Sequence, residues 1–138
     1  MIVPAKTGPH RSCVDIFAEA EGYLELGMHA EAWESLTALS GDVVSHPRAL
    51  RVRMFCAFQA RHYRMAETLA LMLCCAGREI KAAAGVILHQ LAAIYNIAGN
   101  QRQARLLAKA AIEADPRREG LIRSDPQFPP DFVEKALR

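Results

Sequence analysis

Ala32 and Ala66 stand 34 residues apart, as do Tyr23 and Ala57. Ala66 and Ala104 are separated by 38. A 34-residue period is that of a helix–turn–helix unit, and such a unit cannot bury its apolar face without neighbours stacked on it. The spacing therefore predicts three similar units, over about 12–45, 46–80 and 81–116. The four extra residues between the second and third are expected near Gly77–Lys81, where the helical pattern breaks.

Within each unit the apolar residues recur at helical intervals. In the third, Val86, Ile87, Leu88, Leu91, Ala92, Ile94, Tyr95 and Ile97 form one broad face. Gly99-Asn100 stops that helix, and Ala104, Leu107, Ala108, Ala111 and Ile112 continue on a second. Asp115-Pro116 ends it, because proline disfavours helical geometry at the residue before it. The first unit places Val14, Ile16, Phe17, Tyr23, Leu24 and Leu26 before a Gly27 turn, with Ala32, Trp33, Leu36 and Leu39 after it. In the second, Pro47 suits a helix start. A turn is expected near Arg61–His62, and Leu69, Leu71, Met72 and Leu73 lie on the partner helix. Ala20, Ala32, Ala66, Ala92, Ala104 and Ala108 fit the places where helices approach closely, since a larger side chain would force them apart.

The flanks read differently. Residues 1–11 are expected to be a flexible lead-in. Residues 117–138 are expected to cap the stack through Leu121, Ile122, Phe128, Phe132, Val133 and Leu137, with short helices over 117–123 and 131–137 around a Ser124-Asp125-Pro126 turn.

Composition narrows the function classes. A net charge of +2 gives no reason to expect a nucleic-acid or anionic-membrane partner. No apolar run approaches the ~18 residues of a membrane span, and the opening residues lack the apolar stretch of a secretory signal. A cytoplasmic protein is expected. The cysteines are Cys13, Cys56, Cys74 and Cys75, with no C-x-x-C spacing for zinc or redox chemistry. Buried or half-buried free thiols are expected, with no metal and no cofactor.

No H-E-x-x-H, G-x-S-x-G or phosphate-binding glycine loop occurs. Of the five histidines, only His89 lies inside a long apolar helix, as a hydrogen-bonded edge residue rather than a general base. Glu21 and Glu25 share a helix face with no second ligand helix. The chain is therefore not expected to be an enzyme.

The phrase Leu88-x2-Leu91-Ala92-x2-Tyr95, followed by Gly99, Ala104, Ala108 and Pro116, resembles the tetratricopeptide repeat (TPR) family. Unit one keeps Ala20, Tyr23, Gly27 and Ala32 but has Glu19 at a leucine place. Unit two keeps Met54, Ala57, Tyr63 and Ala66 but has Arg53 at that place and no turn glycine. The end of the chain, Leu121 to Phe128, is similar to that of many bacterial members. The resemblance covers about 12–116. It implies an all-α, right-handed superhelical stack of three TPR repeats with a C-terminal capping helix.

The resemblance also implies a concave groove, lined by the first helices, that takes a peptide or helix of a partner protein. The groove positions project onto Phe17, Glu21 and Glu25, then Arg48, Arg51, Phe55, Phe58 and Gln59, then His89, Gln90, Ala93 and Asn96. Chaperone cofactors that clamp a C-terminal carboxylate use Lys and Asn at two places held here by Phe17 and Glu21, so that activity is not expected. Two alternatives remain. One is self-association into a scaffold or homodimer through the end near Val14 and Phe17. The other is RNA binding on a basic face around Arg48, Arg51, Arg53, Arg61 and Arg64, should these share one side.

Overall fold

The computed structural model describes residues 12–138, and the lead-in expected over 1–11 lies outside them. The described residues are helical and contain no strand. In chain order the α-helices are α1 (Cys13–Glu25), α2 (His29–Ser35), α3 (Pro47–Gln59), α4 (Tyr63–Leu73), α5 (Arg78–Ile97), α6 (Gln101–Ala114), α7 (Arg118–Arg123) and α8 (Phe132–Leu137). Short 3-10 turns at Leu36–Ala38 and Gly41–Ser45 fill the connection from α2 to α3.

Helices α1/α2, α3/α4 and α5/α6 pack as successive pairs, and each pair closes through the same turn. The amide of Met28 donates to the carbonyl of Tyr23 at 2.9 Å, His62 to Ala57 at 2.8 Å, and Asn100 to Tyr95 at 2.9 Å. These bonds recur at the 34- and 38-residue spacings of the sequence. They occupy carbonyls that the end of a helix would leave unpaired. The closure requires a left-handed residue one place earlier. Gly27 (φ 76°), Arg61 (φ 64°) and Gly99 (φ 88°) supply it. Arg61 adopts the strained conformation because the flanking helices impose it, although it has a Cβ that glycine lacks. Tyr63 stands at the register of His29, not at that of Tyr23 and Tyr95, and its ring packs on Phe58 at 5.4 Å.

The first helices end in register, at Glu25, Gln59 and Ile97. They begin differently, because α5 runs 20 residues against 13 for α1 and α3. Helix α5 therefore begins seven residues early, more than the four inserted, and the connection before it is shorter than the one before α3. The expected interruption at Gly77–Lys81 is confined to 74–77, and α5 begins at Arg78, ahead of the boundary placed at 81. Gly77 holds the extended N-cap conformation, and nothing in the alanine-rich sequence after it breaks a helix. By length and composition α5 could cross a membrane, contrary to the expectation of no such run. In this fold it is a core helix, with Leu88, Leu91 and Ala92 fully buried.

The six alanines expected at close approaches are all fully buried. The core forms two clusters that meet at α3. Ala49, Val52 and Cys56 face α1 and α2, whereas Met54 and Ala57 face the cluster built from α4 to α8. Inside the second cluster Gly85 lies 3.3 Å, by its ideal Cβ position, from the Cβ of buried Asp115, so a side chain there would press on the end of α6.

The cap is built from α7 and α8, the two short helices expected over 117–123 and 131–137. Ile122, Phe128, Phe132 and Val133 are buried as expected, and the rings of Phe128 and Phe132 stack at 4.4 Å. Leu121 and Leu137 are exposed instead. So are Leu71, Met72 and Ile97, because the runs they belong to are too long for every member to face inward on a helix.

Two substitutions test this account. Arg61→Gly removes the left-handed penalty and is expected to stabilise the protein by about 1 kcal/mol, net of the added unfolded-state entropy. A thermal melt reads this as a Tm a few degrees higher, and an unchanged or lower Tm would contradict the strained turn. Ala66→Leu overpacks a closed helix contact and is expected to cost about 1–3 kcal/mol in urea unfolding.

Candidate functional site

Five of the residues projected onto a groove come together. Glu21 and Glu25 from α1, and Arg48, Arg51 and Phe55 from α3, line one open cleft of about 760 Å³. Leu24, His29 and the start of α5 (Glu79, Ile80) complete it. Three features of the fold place them there. Helix α1 starts where Ser12 Oγ accepts from the Asp15 amide. Helix α3 starts at Pro47, where His46 Nδ1 accepts from the Arg48 amide. The early beginning of α5 brings Glu79 and Ile80 to the mouth, which the shorter unit expected from the repeat would not do.

Arg48 crosses from α3 to α1. Its Nε donates to Glu21 Oε2 at 2.9 Å and its Nη2 to Glu21 Oε1 at 2.5 Å. This two-point pairing with a carboxylate raises the Arg48 pKa above its ordinary value, with the Glu21 hydrogen bond as the main cause. Arg48 is thus a strut between units, and Glu21 is neutralised by it. The Arg51 guanidinium instead lies over the Phe55 ring, 5.1 Å from its centroid. Glu25 is exposed. The cleft therefore offers an apolar wall of Leu24, Phe55 and Ile80, one cation resting on an aromatic face, and the carboxylates of Glu25 and Glu79.

The other projected residues go elsewhere. Phe17 is 2% exposed and belongs to the core, beneath Arg48 at 5.2 Å and His46 at 4.8 Å. It is neither a groove residue nor an exposed surface for self-association, because its turn of α1 faces α3. Phe58, His89, Gln90 and Ala93 border a separate, shallower depression of about 410 Å³, though Ala93 itself is buried.

His89 is held there structurally. Its Nε2 lies 3.0 Å from Asp125 Oδ2, and its Nδ1 lies 3.4 Å from Arg118. Asn96 Nδ2 donates to the carbonyl of Gln127 at 2.6 Å, tying the tail to α5 rather than offering an amide to a groove. The placements of His89 and Asn96 share one cause: the tail lies against α5 and covers part of the face that the repeat pattern leaves open. Gln59 sits at the end of α3 and lines a different cleft, between α2 and α4.

That third cleft, of about 530 Å³, was not legible in the sequence. Trp33 and Met65 form its walls, although helical periodicity assigns Trp33 to the core. The only available signal was the Trp itself, which is 37% exposed with the Arg53 guanidinium 5.3 Å over its ring.

The basic residues do not form one free stripe. Arg48, Arg117 and Arg123 are ion-paired, to Glu21, to Asp115, and to Glu119 and Glu134. Arg51 and Arg53 stack on different rings. The Arg117 hydrogen bond holds the Asp115 carboxyl below its ordinary pKa. Tyr95 Oη and Gln103 Nε2 donate to the two oxygens of Glu67, at 2.7 and 2.9 Å, and the Glu67 bond pushes the Tyr95 pKa up. These groups join helices and do not converge on a reacting position. Among the described residues no three His, Cys, Asp or Glu side chains gather as metal ligands would.

The cysteines are free thiols, but not all are sheltered, since Cys75 is exposed in the break before α5. Burial pushes the Cys56 thiol up to about 11, and the nearby Arg53 offsets this only in part. No known family model, curated protein or solved structure matches the chain.

Thiol reactivity checks the placement. At neutral pH Cys75 is expected to be the first cysteine labelled by a soluble thiol reagent. Cys56 should resist until the protein unfolds, because it is both buried and protonated. Peptide mapping of the labelled protein reads both, and early labelling of Cys56 would contradict the packing of α3 on α2.

Proposed function

We propose that the chain is an interaction module of the tetratricopeptide type, a right-handed stack that holds a peptide or helix of a partner protein and performs no chemistry on it. The observation that carries this reading is the cleft between α1, α3 and the start of α5, where an apolar wall and charges of both signs meet in one concave surface. A short amphipathic segment is the ligand that such a surface accommodates, with apolar side chains against Leu24, Phe55 and Ile80 and charged ones at the rim. The recurring turn at Gly27, Arg61 and Gly99 supports the repeat assignment, because three identical closures at the sequence period build three equivalent hairpins. Of the arginines on the basic face, Arg48 is held by Glu21 and Arg51 and Arg53 stack on separate rings, which favours a protein partner over an RNA that would need them free on one side.

The test uses Glu25→Lys/Arg51→Glu, which reverses rim charges and leaves the Arg48–Glu21 strut intact. Affinity capture from a lysate of the source cells, followed by titration of the captured protein, should show binding weakened by about tenfold or more with an unchanged far-UV spectrum. Equal capture by the wild-type and double-variant proteins would remove this cleft as the binding site.

A further inference from the structure

Glu25 and Glu79 line the α1/α3/α5 cleft from two different hairpins. Both are exposed, and neither makes an ion pair among the described residues. The other charged side chains of the lining are engaged. Arg48 and Glu21 cancel each other, and Arg51 lies over the Phe55 ring. His29 Nδ1 lies 3.0 Å from the carbonyl of Gly27. The lining therefore holds more carboxylate than it neutralises, beside a wall of half-buried Leu24, Phe55 and Ile80. An occupant that completes it brings a cation to Glu25 or Glu79 and apolar side chains to the wall.

Residues 1–11 have that composition. They include Ile2, Val3, Lys6 and Arg11, and no Asp or Glu. They join the fold at Ser12, the N-cap of α1, and the far end of that helix lines the cleft through Leu24 and Glu25. The 13 residues of α1 rise about 20 Å. Lys6 stands six positions before Ser12, and six residues of extended chain also span about 20 Å. Run back along α1, the segment brings Lys6 level with Glu25. Ile2 and Val3 reach about 10 Å further, the spacing of packed helices, which takes them across to Phe55 of α3. Pro4 and Pro9 restrict the backbone and so lower the entropy lost on docking. The covalent tether holds the segment at an effective concentration on the order of millimolar, so modest contacts suffice.

We infer that residues 1–11 are an intramolecular occupant of the α1/α3/α5 cleft, and that a partner's segment must displace them. Lys6 faces Glu25, and Ile2 and Val3 lie on the apolar wall. The inference rests on the reading of this cleft as a peptide site and adds that the chain controls access to it.

The test joins ammonium groups to neighbouring carboxylates with a water-soluble carbodiimide. It uses the full chain, as an equal mixture of unlabelled and heavy-nitrogen-labelled protein, and maps the products by mass spectrometry. Lys6 is expected to couple to Glu25 or Glu79 within one chain. Ile2→Ser/Val3→Ser keeps Lys6 and removes the apolar anchors. It should lower that product about fivefold or more with an unchanged far-UV spectrum, and should bind the partner captured through the cleft about fivefold more tightly.

Three results would each overturn the inference. In the first, Lys6 couples mainly to Asp15, Glu19 or acids of the other units. In the second, Ile2→Ser/Val3→Ser leaves the yield unchanged, as chance collisions of a tethered chain would. In the third, the products join only labelled to unlabelled chains, which makes the occupant a second copy. The earlier reading survives all three if Glu25→Lys/Arg51→Glu still weakens capture. Intrachain coupling of Lys6 to Glu25, together with capture that Glu25→Lys/Arg51→Glu leaves unchanged, would instead overturn the partner reading and leave the intramolecular contact standing.

Discussion

Ala20, Ala32, Ala66, Ala92, Ala104 and Ala108 have no solvent exposure, and the remaining architecture depends on how near they let the helices come. A methyl group at a crossing point allows close approach, so the larger residues around it, such as Leu36, Leu88, Leu91 and Leu107, can interdigitate without voids. Gly85 extends the same principle to the junction of α5 with the end of α6, where even a Cβ would be tight. Glycine inside a helix costs about 1 kcal/mol relative to alanine, and the proximity of Asp115 explains why this position carries it.

Close packing alone does not set which pairs form. The turn does that, by forcing each second helix to begin two residues after a left-handed position. Successive pairs are then joined through α3, which presents Ala49, Val52 and Cys56 to one core cluster and Met54 and Ala57 to the other. Polar contacts between neighbouring units sit at the periphery of this apolar scheme. The Arg48–Glu21 pair joins α3 to α1, and Glu67 accepts from Tyr95 and Gln103 of the next pair. Such partly exposed contacts contribute about 1 kcal/mol or less each, so they align units that burial has already brought together.

The candidate site was partly legible. Glu21, Glu25, Arg48, Arg51 and Phe55 were named from their place on first helices, and they do share one cleft. Phe17 was misplaced because periodicity locates a helix face but does not say which face the next helix covers. His89 and Asn96 were misplaced for another reason. Their partners, Asp125 and the Gln127 carbonyl, come from a tail without helical period, so no pattern linked the two segments. The Trp33–Met65 cleft escaped because a tryptophan at a helical apolar position reads as core until its neighbours are known.

What the sequence determined by itself was local and periodic: all-helical structure, the hairpin unit, the buried alanines and the turn at Arg61–His62. Each follows from interactions spanning a few residues, which repeat at a fixed interval and so reinforce one another in the pattern. What only the tertiary structure decided was where the surplus went. Helix α5 started seven residues early, and its first turn became one wall of the first cleft. The tail folded over His89 and Asn96, and Trp33 stayed at the surface under Arg53. Those outcomes depend on contacts between residues far apart in the chain, where burial of one surface competes with burial of another and no local preference settles the result.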